Sequence, residues 1–299
     1  MKIIFMGTPD FAIPSLKALI ESRHRVLAVV TTPDKERGRG QKVTFTPVKE
    51  FALLNNIEVL QPVSLKDESF ISRLKELAAD LYVVVAFRIL PKEVYTIPPK
   101  GAFNLHGSLL PKYRGAAPIQ WAVINGDNET GLTTFFLQEK VDTGNIILRE
   151  RVEIPDTDDF GTLHDRMSPI GAELVLKTVD LIEKGNVFVA SQEDAEATPA
   201  PKITKETMHI DWRQPALKVH NLIRGLSPYP GAFFMHNGKV IKVYKSSLNF
   251  DKKLSPGEIF QTKTEAIIGC GMDAVNLLEV QAEGRRRMGI EEFLRGYKF

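Results

Sequence analysis

Apolar runs and helical repeats alternate from the first residues. Lys2-Ile3-Ile4-Phe5-Met6 reads as a buried strand, followed by a Gly7-Thr8-Pro9-Asp10 turn, an amphipathic stretch over 11–21 and a second buried strand over 25–31. A strand, turn, helix and strand in that order open a parallel, doubly wound sheet. The spacing then predicts a helix over 47–56, a short strand over 58–60 and a helix over 68–78. Leu81-Tyr82-Val83-Val84-Val85-Ala86 is a continuous apolar run, the pattern of a central strand covered on both faces. Further on come a strand end near 101–103, a helix over 119–125, and strands over 131–137 and 145–154 placed to pair as a hairpin. A long helix over 160–183 is interrupted by Pro169.

Periodicity is lost from Ser191 to Pro201, which marks a linker. Beyond it lie one helix, 216–225, and strands over 233–235, 239–244, 258–261, 266–269 and 276–281, a set that fits a small barrel of the OB type. The expected fold is therefore α/β. A Rossmann-like domain with a doubly wound, mainly parallel sheet spans 1–190, a linker 191–206 and an OB-like β-barrel domain 207–299. The Gly-x-Gly-x-x-Gly fingerprint of dinucleotide folds is absent: only Gly7 stands in place and Pro9 breaks the pattern, which disfavours a nicotinamide dehydrogenase.

Composition narrows the class. A chain of 299 residues with 43% hydrophobic and 25% charged residues suits an ordinary globular protein of two domains. No apolar run approaches the roughly 20 residues that cross a bilayer, and the opening residues carry no signal-peptide pattern. The expectation is a cytoplasmic protein with no membrane partner. One cysteine, Cys270, excludes an internal disulfide and stands in no metal-ligand cluster. The net charge of +2 hides a split, because residues 207–299 hold 14 Lys and Arg against 9 Asp and Glu. A basic C-terminal part suits a polyanionic partner such as a nucleic acid.

The stretch with the most chemistry is Asn104-Leu105-His106-Gly107-Ser108-Leu109-Leu110-Pro111, running on through Arg114-Gly115-Ala116-Ala117-Pro118. Side chains two apart on a strand point the same way, so Asn104 and His106 face one cavity. An amide donor beside a group that changes protonation near neutral pH is a frame for acyl transfer. A lone Asn or His at a strand end is more often a satisfied turn residue, so the pair gains weight from what surrounds it.

Asn104-x-His106, Ser108-Leu109-Leu110-Pro111 and Arg114-Gly115-Ala116-Ala117-Pro118 together resemble the signature of folate-dependent formyltransferases. Thr130-Gly131-Leu132-Thr133 and Val141-Asp142-Thr143-Gly144 resemble that family's second signature. The resemblance covers essentially the whole chain and is strongest from Asn104 to Gly144. It implies catalytic roles for Asn104, His106 and Asp142, with the carboxylate holding the imidazole in place. It implies 10-formyltetrahydrofolate as formyl donor, against Arg88, Ile89, Leu90, Ser108, Leu109, Leu110 and Pro111, and requires no metal. The segment Ala86-Phe87-Arg88-Ile89-Leu90-Pro91 departs from the Tyr-Gly version of many methionyl-tRNA formyltransferases and is closer to the purine-pathway enzymes, which leaves individual folate contacts open.

The acceptor is read from basic segments. Arg37-Gly38-Arg39-Gly40-Gln41-Lys42 is too polar for a core and resembles the insertion that methionyl-tRNA formyltransferases place near the acceptor end of tRNA. Arg37, Arg39 and Lys42 are its candidate contacts, with Arg285, Arg286 and Arg287 in the C-terminal part. Each stretch also has a plain reading as a solvated surface loop; for the first the match to that insertion favours a contact with RNA, and for the arginine run the two readings balance. Asp211-Trp212 and Pro228-x-Pro230-Gly231-Ala232 also resemble the C-terminal domain of that family. The implied partner is charged initiator tRNA, methionyl-tRNA, met by a monomer. The alternative acceptor is an amino group of a sugar nucleotide; a hydrolase releasing formate and a non-catalytic folate or RNA binder are weaker readings.

Overall fold

A computed structural model describes residues 1–37 and 42–299. Strand β1 (Lys2–Gly7) is buried at every position except Lys2. A one-turn 3-10 helix, Asp10–Ala12, leads into α1 (Ile13–Ile20), which has Pro14 in its first turn, where a missing N–H costs nothing. Strand β2 (Arg25–Val30) returns parallel to β1. The short strands β3 (Lys35–Arg37) and β4 (Lys42–Thr44) pair as an antiparallel hairpin. Helix α2 (Pro47–Leu54) starts at Thr46, whose hydroxyl accepts from the Lys49 N–H, and α3 (Glu68–Leu77) starts at Asp67, whose carboxylate accepts from the Phe70 N–H. Both are side-chain N-caps that satisfy an orphan donor. Strand β5 (Glu58–Leu60), between those helices, extends the sheet parallel to β2.

The chain then turns back. Strand β6 (Leu81–Val85) pairs parallel with the other side of β1, and after α4 (Lys92–Tyr95) strand β7 (Ala102–His106) pairs parallel with β6. A two-residue strand β8 (Arg114–Gly115) and α5 (Pro118–Asn125) precede β9 (Glu129–Phe136), which runs antiparallel to β7, and β10 (Ile146–Glu153) closes that edge. The seven-stranded order is β10-β9-β7-β6-β1-β2-β5. Strand order reverses between β1 and β6, and open α/β sheets take their ligands in the crevice beyond the carboxyl ends of strands near such a reversal.

Strand alternation divides the sheet's side chains between two faces. Ile4, Met6, Tyr82, Val84 and Ala102 share one buried cluster with Phe70 and Leu74 of α3. On the opposite face lies α6 (Phe160–Lys184), where a Cβ on Gly171 would sit 2.8 Å from Leu105 Cδ2. The helix runs through Pro169 as one element, against the expected interruption. Packing of Leu163, Met167, Val175 and Val179, all buried, outweighs the one hydrogen bond that the proline removes.

Packing divides the chain into two compact units, the first made of Met1–Gly115, Gly131–Val152 and His164–Pro199, the second of Ala116–Thr130, Glu153–Leu163 and Ala200–Phe299. The second unit contains α7 (Lys205–Met208), α8 (Ala216–Gly225) and a six-stranded antiparallel sheet. Its strands, numbered after the short β11 (Pro199–Ala200), are β12 (Ala232–His236), β13 (Lys239–Asn249), β14 (Ile259–Gln261), β15 (Ala266–Gly269), β16 (Ala274–Ala282) and β17 (Met288–Gly289). They lie in the order β12-β13-β16-β15-β14, with β17 also paired to β16. Register shifts in β13 between Val243 and Ser246 bend the strand, so the sheet curls around Phe234, Ile241, Val275, Leu277 and Ile223, with Phe293 of α9 (Ile290–Leu294) in the same cluster. The small antiparallel β domain expected from the sequence is thus present. Gly225 lets α8 approach α5 closely, since a Cβ there would meet Ile124 Cγ1 at 2.5 Å. Among the described residues, no helix is long and apolar enough to cross a membrane.

Candidate active site

Strand β7 carries two polar side chains on one face near its carboxyl end. Asn104 lies between Val84 of β6 and Phe135 of β9, and His106 lies beside Thr133. His106 is buried, and its Nε2 is 2.8 Å from the backbone oxygen of Tyr113. A carbonyl only accepts, so Nε2 carries the proton and Nδ1 is the nitrogen left to gain or lose one. Nδ1 stands 3.9 Å from Asp142 Oδ2, an ion-pair separation too long for a hydrogen bond. The ring of Phe135 meets the imidazole edge-on, with centroids 6.4 Å apart, and restricts its tilt.

The turn after His106 is fixed from beneath by Thr133, which is fully buried. Its hydroxyl donates to the Ser108 oxygen at 2.7 Å and accepts from the Leu110 N–H at 3.1 Å. The Ser108 hydroxyl donates to the Lys112 oxygen at 2.6 Å. These bonds carry the chain round to Tyr113, whose φ of +60° aims its carbonyl at the imidazole.

Asp142 reaches the same place from the β9–β10 connection. It has φ +55°, and its Oδ2 accepts from the Gly115 N–H at 2.9 Å. Two residues on, Gly144 is packed so tightly that a Cβ would lie 1.6 Å from the Phe136 oxygen. No other residue fits that turn without moving the backbone.

An open cleft lies beside Asn104 and Asp142. Ala86, at φ +49°, turns the chain out of β6, so that Phe87, Arg88, Ile89 and Leu90 form one wall, with Phe135, Leu137 and residues 138–141 opposite. Arg88 is tied back by Nη1 to the Val63 oxygen at 3.0 Å and Nη2 to the Pro62 oxygen at 2.7 Å. Its buried Nε has no partner among the described residues, and burial holds the guanidinium below its ordinary pKa. The Asn104 side chain likewise makes no hydrogen bond among the described residues. The cleft mixes apolar with polar and charged lining, and Asn104 presents it with an uncommitted amide.

The sequence compares closely with known proteins. Residues 1–179 match the family model described as formyl transferase, and residues 202–298 match the formyl transferase C-terminal domain. Methionyl-tRNA formyltransferase from Caldanaerobacter subterraneus subsp. tengcongensis is 50% identical over 99% of this chain and 97% of its own length. This chain belongs to the formyl transferase family, in its methionyl-tRNA branch. Methionyl-tRNA formyltransferase from Bacteroides thetaiotaomicron is 47% identical over 100% of this chain and 96% of its own. Among solved structures, WlaRD, a sugar 3N-formyl transferase crystallised with dTDP and 5-N-formyl-THF, superposes with a TM-score of 0.71 at 21% identity, over 96% of this chain and 99% of that one. At that identity the likeness is one of fold.

In this formyl transferase, Asn104 and Asp142 line the cleft together with Arg88, Ile89 and Leu90, and His106 lies behind them, 3.9 Å from Asp142. Ser108, Leu109, Leu110 and Pro111 are outside the lining of this cleft and form the turn just beyond His106, held by hydrogen bonds of Ser108 and Leu110. Arg39 lies outside the described residues, and of Arg37 and Lys42 only their places on β3 and β4 are described. The three consecutive arginines differ sharply. Arg287 is bidentate to Glu279, at 2.5 and 2.7 Å, and lies over the Tyr244 ring at 4.3 Å; Arg286 pairs with Glu292; Arg285 is exposed, with no partner for its guanidinium among the described residues.

Several participants escaped the sequence reading. Thr133 stood inside a quoted motif but had no assigned role. The Tyr113 carbonyl and the Gly115 N–H act through backbone, which residue types do not advertise. Gln192 donates by Nε2 to the oxygens of Asp142 and Gly144 at 2.9 and 2.8 Å from a stretch without periodicity. Elsewhere, His24, Asp180 and Glu183 bring potential metal-ligand atoms together, but the Arg23 guanidinium lies 2.7 Å from each carboxylate and satisfies their charge.

Proposed function

We propose that the chain transfers the formyl group of 10-formyltetrahydrofolate to the amino group of methionyl-tRNA, in the cytoplasm and as a monomer, to supply translation initiation. The observation that carries this is near-complete coverage at about half identity with methionyl-tRNA formyltransferases, supported by Asn104 and Asp142 in the lining of one cleft with His106 3.9 Å from Asp142. The methionyl amine attacks the formyl carbon, a C–N bond forms, and the π electrons move onto the oxygen. Asn104 donates an N–H to that oxygen as its charge develops. The attacking nitrogen loses a proton, which His106 Nδ1 carries, directly or through a water, to the folate nitrogen. The old C–N bond breaks with its electrons on that nitrogen, leaving tetrahydrofolate and formyl-methionyl-tRNA. Asp142, across from Nδ1, steadies the imidazolium during the passage.

In this reading residues 1–190 carry the chemistry, 191–206 link, and 207–299 hold tRNA, with Arg39 near the acceptor end. Arg39→Ala should lower methionyl-tRNA formylation strongly while formyl-folate binding and thermal stability stay at parent values, and Arg39→Lys should recover only part, since the planar fork is lost. The deciding measurement is transfer of labelled formyl to methionyl-tRNA and, separately, to an aminosugar nucleotide. Methionyl-tRNA should be preferred in kcat/KM by roughly 10²-fold or more; preference for the sugar nucleotide would replace the reading.

A further inference from the structure

Asp142 holds a left-handed turn conformation that is braced from outside the turn. A left-handed φ of +55° is uncommon for a residue with a side chain, and the two residues after it are held by a turn that leaves Gly144 no room to relax. Gln192 spans that turn. Its Nε2 donates to the carbonyls of both Asp142 and Gly144, one on each side of Thr143. Its Oε1 accepts from Nε and Nη2 of Arg114 at 3.0 and 2.8 Å. The remaining end of that guanidinium, Nη1, holds Asp194 at 2.8 Å. Immediately along the chain from Arg114, the Gly115 N–H donates to the Asp142 carboxylate itself. Backbone bonds complete the frame, with the N–H groups of Tyr113 and Arg114 donating to Thr198 Oγ1 and O.

Both ends of one amide are thus saturated, and the group is half-buried rather than solvated. We infer that Gln192 is a positioning residue for catalysis: braced by Arg114, it fixes the 142–144 turn so that the Asp142 carboxylate faces His106 Nδ1. A segment expected only to link the two halves of the chain therefore supplies part of the active-site support. The inference rests on the reading of Asn104, His106 and Asp142 as the reaction centre.

The geometry separates this role from mere structural filling. Gln192→Glu keeps an oxygen for Arg114, and adds charge that the guanidinium welcomes, but it removes both donors to the turn. Gln192→Leu removes the donors and the acceptor together. In the full-length chain, both variants should lower kcat for formyl transfer to methionyl-tRNA by about 10- to 100-fold, as expected for displacement of a catalytic group. KM for formyl-folate and for methionyl-tRNA should change less than about 3-fold, and Gln192→Glu, which keeps the Arg114 pair, should still melt cooperatively as a folded protein. In an Asp142→Asn background, adding Gln192→Leu should cost no more than about 2-fold further, because the two residues act as one unit. A parent-like kcat in Gln192→Glu, or a fully additive loss in the double variant, would overturn the inference. A parent-like kcat in Asp142→Asn alone would remove the reading of the site, and the inference with it.

Discussion

The two nitrogens of the His106 imidazole are placed differently. The bond to the Tyr113 carbonyl occupies Nε2 and leaves Nδ1 on the side of the Asp142 carboxylate, 3.9 Å away. Such a division suits a shuttle, since the ring need not rotate between accepting and releasing. Asn104 has the opposite character: its amide is uncommitted and lines the cleft. A donor held in reserve acts only where charge develops, which is where it accelerates the step. Asn104→Ala should therefore lower kcat by about 10²–10³-fold, equivalent to roughly 3–4 kcal/mol of transition-state stabilisation, with little change in thermal midpoint because no existing bond is lost. His106→Ala should reduce turnover by a comparable or larger factor; stopped turnover with an intact near-UV spectrum would separate chemistry from folding. Near-parent rates in either folded variant would remove that residue from the reaction.

At the scale of elements, what was legible depended on whether a side chain or a backbone group did the work. Strand β6 announced itself as an unbroken apolar run, and the two-residue spacing of Asn104 and His106 gave their common face directly. The curled C-terminal sheet followed from short apolar segments separated by turns. The continuity of α6 through Pro169 was not legible, because local propensity does not contain the packing that overrides it. Nor was the bracing of the turn at Ser108 and Leu110 by Thr133, which reaches across from β9. The β9–β10 connection tests this level. Its geometry is set by Gly144, where a methyl group would overlap the Phe136 carbonyl. Gly144→Ala should cost about 2 kcal/mol or more, lowering Tm by roughly 4 °C or more. It should also reduce kcat by a larger factor than its stability loss explains, because the displaced turn carries Asp142. Calorimetry and turnover on one preparation, giving a stable but slow enzyme, would fit; a change in Tm with unaltered kcat would not.

Over the whole molecule, charge is divided unevenly, with a net +5 on residues 207–299 of a chain whose total is +2. Net charge alone does not say which groups meet an RNA, because a cation already paired with a carboxylate releases few counterions when a phosphate arrives. The run of three arginines makes the distinction measurable. Arg287 is committed to Glu279 and to the face of Tyr244, and its side chain is only about a third exposed. Arg286 is committed to Glu292, while Arg285 has no competing partner among the described residues. Arg285→Ala should weaken methionyl-tRNA binding and lower the slope of log Kd against log salt by about 0.7–0.9, the loss of one phosphate contact, while Tm holds. Arg287→Ala should do the reverse, costing about 1 kcal/mol of stability through the lost Glu279 and Tyr244 contacts and leaving the salt slope nearly unchanged. Arg286→Ala should fall between them in slope, because its pair with Glu292 is exposed on both sides and yields readily to a phosphate. Titrations at three or more salt concentrations, run beside thermal melts, distinguish these patterns. Equal slopes for all three variants and the parent would place the tRNA contact elsewhere in the chain.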